Sequence, residues 1–255
     1  MREKIFSAIG NKILYEGIET CDYTLNGKSP RVTEFKKIPP DILKIIENEE
    51  VDFSIFAIIL DEKHEKNDFF NCIIHIQDKK PQYIIYCNQE SPKKYMCNLK
   101  IRYVIVGNYT DFNSIDYDSN IRLEVIKKYY NSIKPKLNKS LLGFKANSSD
   151  LFIGIPVLND DLKDLNQENS IIGHHFYRDQ DDNVGVFTFC YSLNQSRYIN
   201  LPNFSFHALK ISNVPFNTFD KKTSYEGIDH PNYFSLYSKD SNNHFPIFLK
   251  YTEKN

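Results

Sequence analysis

The usual phosphate-gripping loops are missing from this chain. Its nine glycines among 255 residues form neither G-x-x-x-x-G-K-[ST] nor G-x-G-x-x-G. That excludes a P-loop NTPase and a dinucleotide-binding Rossmann domain. No G-x-S-x-G elbow marks a serine hydrolase. The five cysteines, Cys21, Cys72, Cys87, Cys97 and Cys190, are odd in number and never spaced C-x-x-C. A zinc ribbon is thereby excluded, and a small hydrophobe in an apolar run is the plain reading of Cys72, Cys87 and Cys190. The opening MREKIFSAIG has no apolar core of signal-peptide length. The longest apolar run, FSIFAIIL at 53–60, is too short to cross a bilayer. These absences together point to a cytoplasmic protein in a reducing compartment.

Tryptophan is absent too, yet aromatics reach 14% through 17 Tyr and 19 Phe. A chain of this length can bury a proper core, and its 41% hydrophobic and 25% charged residues are globular values. Net charge is −1, but the signs are segregated. Residues 79–145 are lysine-rich, whereas NDDLKDLNQEN and RDQDDN downstream are acidic. The densest basic piece runs from Ser119 to Lys145. Ile121, Val125, Tyr129, Ile133 and Leu137 recur there at helical spacing, Ser119 or Asn120 can cap the start, and Pro135 breaks it. A helix with Lys127, Lys128, Lys134, Lys136 and Lys139 on its exposed side follows. Such a face suits nucleic acid or another polyanion; a solvated helix face is the alternative.

Periodicity predicts a loosely helical segment from Arg2 to about Tyr15, then a hairpin over CDYTLNGKSPRVTEFKK. A short helix, DILKIIENEE, opens after Pro39-Pro40. Strands are predicted at 53–60, 70–77, 82–87, 101–106, 151–157, 171–177, 184–193, 204–211, 233–237 and 245–251, with DDLKDLNQE as a further short helix. The expected class is α+β: a mixed α/β half over 1–115 and a basic helix plus β-rich, mostly antiparallel half over 116–255, with a soft boundary that leaves one domain open.

Two constellations carry chemistry. In the hairpin, Asp22 precedes the Asn26-Gly27 turn, and Glu34-Phe35-Lys36 follows it. Side chains two apart on a strand share a face, so Glu34 and Lys36 point the same way. The stretch resembles the hairpin of restriction-endonuclease-like nucleases. That resemblance implies Mg²⁺ held by Asp22 and Glu34, with Lys36 positioning the attacking water. Read without it, the stretch is an exposed hairpin with a cross-strand ion pair. The second constellation is His174-His175, Asn200 and His207, whose order resembles that of HNH-type nucleases. The resemblance implies metal ligation by the outer histidines and a general base oriented by Asn200. The plain reading is histidines alternating within a sheet.

The expected functions are therefore three. One is a Mg²⁺-dependent nucleic-acid phosphodiesterase. Another is a non-enzymatic binding protein of the effector, immunity or adaptor kind. The third is a cysteine-dependent hydrolase or transferase pairing Cys21 or Cys97 with a histidine. RDQDDN reads as a polar turn, because it lacks the spacing and glycine of an EF-hand loop.

Overall fold

The computed structural model describes residues 10–24, 31–61, 68–77, 80–89, 96–108, 121–130, 137–145, 147, 150–158, 170–192, 195 and 197–213. Thirteen strands and one helix follow in the order β1 (Lys12–Thr24), β2 (Arg31–Glu34), α1 (Pro40–Glu47), β3 (Phe53–Asp61), β4 (Asp68–Gln77), β5 (Lys80–Gln89), β6 (Met96–Gly107), β7 (Arg122–Tyr130), β8 (Leu137–Lys145), β9 (Leu151–Leu158), β10 (Ser170–Arg178), β11 (Asn183–Ser192), β12 (Arg197–Ile199) and β13 (Phe204–Ser212). Strand accounts for 77% of the described residues and helix for 6%. The protein is a β fold, not α+β. Two expected helices are overturned. The segment expected to be helical from Arg2 to about Tyr15 is strand from Lys12 on, at the start of β1, and its residues 2–9 lie outside the described residues. The basic segment forms two strands, Arg122–Tyr130 and Leu137–Lys145, instead of a helix.

The described strands form three sheets. A six-stranded sheet runs β2-β5-β4-β9-β13-β7, a three-stranded sheet runs β1-β6-β3, and β10-β11-β12 form another in which β8 also pairs with β11. Antiparallel pairing dominates, and β4 and β9 pair in parallel through Ile74–Val157 and His75–Leu158. That parallel contact joins strands from before and after residue 116 into one sheet.

The six-stranded sheet feeds two cores. One face supplies Ile74, Tyr83, Ile85, Ile155 and Leu209 to a cluster with Leu99, Ile101 and Ile105 of β6 and Ile42 and Ile46 of α1. The other supplies Ile73, Ile84, Phe204, Phe206 and Ala208 to a cluster with Phe144, Ile172 and Val186. Successive residues of a strand point to opposite faces. Burial on both sides therefore requires near-continuous apolar runs, which is why YIIYC holds no charged residue and the one polar residue of IIHI, buried His75, is paired through Nδ1 with Gln82 Oε1 at 3.0 Å.

The expected helix after Pro39-Pro40 forms. Proline at the first helical position loses no bond it would have made, and Leu43 N–H donates to Pro39 O at 3.0 Å. Ile42, Ile45 and Ile46 are buried on one side, the i, i+3, i+4 stripe that docks a short helix on a core. Asn48 ends it and turns the chain toward β3, its Oδ1 accepting from Glu50 N–H at 3.0 Å.

Candidate functional site

The site is built where the start of β3 and the end of β6 meet β7. Phe53 pairs with Gly107 and Ser54 with Val106. Just outside the ladder, Asp52 and Asn108 clamp the two strands. Asp52 N–H donates to Asn108 Oδ1 at 3.1 Å, and Asn108 N–H donates to Asp52 O at 3.3 Å. Gly107 permits this approach: a Cβ there would lie 2.9 Å from Leu14 Cδ1 and 3.0 Å from Asp52 O. From β7, the Lys127 ammonium pairs with the Asp52 carboxylate and donates to Phe53 O at 2.8 Å.

These residues wall a cleft of about 200 Å³ that also takes in Asn11 and Val125. Its polar groups are of unequal standing. The Lys127 side chain is 19% exposed and that of Asp52 71% exposed, so the pair reaches from the interior to solvent. Ser54 also lines the cleft. It is only 1% exposed, and its hydroxyl has no hydrogen-bond partner. A buried hydroxyl left unpaired costs on the order of 1–3 kcal/mol. His207 stands opposite Lys127 in the β13–β7 register. It is buried, and its Nδ1 is also without a partner. Burial, then the Lys127 charge, lowers its pKa to about 3, so it is a neutral imidazole at physiological pH.

A family model matches residues 13–255. The chain belongs to that family, DUF7431, a domain of unknown function. No curated protein and no solved structure matches it.

In this DUF7431 chain the acidic hairpin residues are exposed, as strand alternation requires. Asp22 points outward from β1 between buried Cys21 and Tyr23, and its carboxylate accepts from Asn98 Nδ2 at 3.0 Å. Glu34 ends β2, which pairs with β5 in the other sheet. Lys36 follows in a bend and is exposed. Between them Phe35 turns inward, 4.5 Å from the Tyr103 ring and 4.9 Å from that of Tyr83. The Arg31 guanidinium donates to the Asp22 backbone carbonyl. Asp22 and Glu34 thus stand on strands of different sheets. Among the described residues no group of three or more His, Cys, Asp or Glu could hold a metal ion.

The histidine set divides across the six-stranded sheet. His174 faces it from β10, its ring 4.8 Å from that of Phe206. A Cβ on Gly154 would lie 2.9 Å from His174 Nε2. His207 is the next residue after Phe206 on β13 and so points to the opposite face. His175 lies outward, stacked on Phe187 at 4.5 Å and 24°. Asn200 is exposed just past β12. Burial, with a lesser contribution from His175, lowers the His174 pKa to about 4.

The lysines separate as well. Lys127 belongs to the cleft, while Lys128, its neighbour on β7, points to the other face of the sheet. Lys139 lies over the Tyr177 and Phe187 rings at 4.5 and 5.4 Å. Lys134 and Lys136 lie outside the described residues, as do the strands expected at 233–237 and 245–251 and the helix expected at DDLKDLNQE. All five cysteines are buried and none forms a disulfide. Burial pushes the Cys21 thiol up and that of Cys72 up to about 12, the reverse of an activated nucleophile. RDQDDN is a turn: Asp179 Oδ1 accepts from Asp181 and Asn183 N–H at 2.9 and 2.8 Å. No helix among the described residues is long and apolar enough to cross a membrane.

Proposed function

We propose that this chain is a non-enzymatic binding module that takes a small polar ligand into the cleft of Asp52, Ser54, Asn108 and Lys127. The observation that carries this is the Lys127–Asp52 pair at the cleft: a largely buried ammonium, already donating to Phe53 O, beside a carboxylate that stays open to solvent. Asn108 borders the same cleft and adds a side-chain amide. The surrounding strands are held by the ladder and by the Asp52–Asn108 clamp. The site is therefore preorganised, and little ordering entropy opposes binding. The five buried, unbridged cysteines support a reducing compartment, the cytoplasm. The test is a screen of small polar compounds by ¹H–¹⁵N correlation spectra. Compounds that shift the Phe53, Ser54 and Asn108 amides support the reading, and a screen in which none does so overturns it.

A Mg²⁺-dependent phosphodiesterase on Asp22, Glu34 and Lys36, with lysines holding a nucleic-acid backbone, is a second reading. The Arg31 contact to Asp22 O favours it by drawing the start of β2 to the end of β1. DNA and RNA cleavage that requires Mg²⁺ and is lost in Glu34→Ala would establish it. Intact substrates would remove it.

A further inference from the structure

We propose that the outward face of the three-stranded sheet β1-β6-β3 is a docking surface for a second copy of this chain. It does not depend on the cleft. Strand alternation sends Cys21, Leu99, Ile101 and Ile105 to the core and the residues between them outward. A sheet face left to water is expected to be polar. Here one rung across the three strands reads Ile18, Arg102, Ile58. Ile18 is 41% exposed and Ile58 42% exposed, and Arg102 between them is exposed as well. The next rung reads Glu16, Val104, Phe56. Single exposed isoleucines need no explanation, whereas a continuous apolar patch does. These are continuous: adjacent strands lie about 4.8 Å apart, the methylene stem of Arg102 stands between the two isoleucines, and Val104 follows on β6.

Charge selects the partner. Outward on β1 are the acids Glu16 and Asp22, and outward on β6 are the bases Lys100 and Arg102. The signs balance, so the face has no net pull on nucleic acid or on an anionic membrane. They are also segregated by strand, which makes the face complementary to itself. A two-fold axis parallel to the strands, along the seam of β1 and β6, lays β1 of each copy over β6 of the other. Glu16 then lies one rung from Arg102 of the second copy, and Asp22 one rung from its Lys100. Ile18 of the second copy comes beside Ile58. Each contact occurs twice, as an isologous interface requires. An axis across the strands would instead lay acids on acids.

Sheets that pack face to face keep their strand directions within about 30° of each other, which this axis satisfies. Arginine is also a favoured interface residue, because its stem packs while its head pairs. A face of three strands is small beside the roughly 800 Å² per partner of a standard interface. The dimer is therefore a reversible one, formed as concentration rises.

The experiment is sedimentation velocity on the full chain, from low micromolar to several hundred micromolar. The expected result is a reversible rise from monomer to dimer mass. Ile18→Ser and Arg102→Glu should each raise the dimer Kd about tenfold or more. Glu16→Arg combined with Arg102→Glu should recover most of what Arg102→Glu loses, because the reversed charges face each other again. ¹H–¹⁵N spectra check that each variant is folded. A monomer at every concentration overturns the inference. A dimer that neither Ile18→Ser nor Arg102→Glu weakens overturns it too, because another surface then carries the contact. A chain that stays monomeric and instead co-sediments with anionic vesicles assigns the face to lipid and overturns the second copy.

Discussion

Two lysines on neighbouring strands of the six-stranded sheet are almost equally withdrawn from water, and they do different things. Lys210 on β13 is 11% exposed, and Lys127 on β7 is 19% exposed. Lys210 is closed in on every side. Its ammonium lies 3.3 Å from Asp150 and 3.8 Å from Glu124, donates to Lys145 O at 3.1 Å, and sits 5.9 Å from the Phe144 ring centre. The Asp150 side chain is 1% exposed. Burial would raise the Asp150 pKa, but the Asn147 N–H, the Ser212 hydroxyl and Lys210 together hold it below the usual carboxylate range. The Lys127 pair instead opens on a cleft through an exposed carboxylate. A closed network holds the fold together. The open one is what the proposed binding function rests on.

The largest effect should come from the closed network. Asp150→Ala removes the nearer carboxylate and leaves the Lys210 charge buried with the longer Glu124 contact, the Lys145 carbonyl and the Phe144 ring. A loss of about 3–5 kcal/mol is expected in urea denaturation, as for other broken buried pairs. Asp52→Ala exposes no such charge and should cost no more than about 1 kcal/mol. Equal losses would erase the distinction between the two lysines.

Acid should act next. The unfolded chain binds protons on its histidines near pH 6.5, whereas folded His174 does so only at about 4 and His207 at about 3. Between those values protons favour the unfolded state. Stability is therefore greatest above pH 6.5 and falls as pH drops through the window, by ~1.4 kcal/mol per pH unit for each histidine. Asp150 adds its own loss at lower pH, beginning near the ordinary carboxylate value of 3.8 where the unfolded chain takes up the proton and ending at its depressed folded value. His207→Leu should make the slope between pH 6.5 and 5 shallower by about 1 kcal/mol per pH unit, leaving the contributions of His174 and of His175, which burial also lowers, and an unchanged slope would show that His207 is not held neutral.

A smaller effect belongs to Gly107→Ala. Its Cβ would crowd Asp52 O and Leu14, and a cost of about 1–3 kcal/mol follows if backbone has to shift. The same shift should move the Asn108 amide resonance, whereas Gly10→Ala, which meets nothing within 4 Å, should leave that resonance in place.

Much of this was legible in the sequence, for identifiable reasons. Proline at the start of α1 and its Ile42, Ile45, Ile46 stripe admit one reading. The strands at 53–60, 70–77, 82–87 and 101–106 lie within β3, β4, β5 and β6: the runs of β4 and β5 are apolar on both faces and fit a sheet buried on both sides, whereas exposed Arg102 between buried Ile101 and Tyr103 is the alternation of a sheet with one open face. Glu34 and Lys36 are both exposed, as alternation says. The basic segment misled because Ile121, Val125 and Tyr129 fit a period of four as well as a period of two. In the strand, Lys127 and Lys128 take opposite faces, so no lysine face exists on β7. The cleft was not legible. Asp52, Asn108 and Lys127 are far apart in the chain, and no local motif marks the register that joins them. The only faint sign was a polar residue, Ser54, inside the run FSIFAIIL.

The measurement that bears most directly on the open cleft is the small-compound screen run on wild type and on Asp52→Asn, with urea denaturation of the variant alongside. The expected result is that compounds shifting the Phe53, Ser54 and Asn108 amides of wild type bind the variant more weakly, while its stability falls by no more than about 1 kcal/mol. No shifting compound, or binding unchanged in the variant, would contradict it.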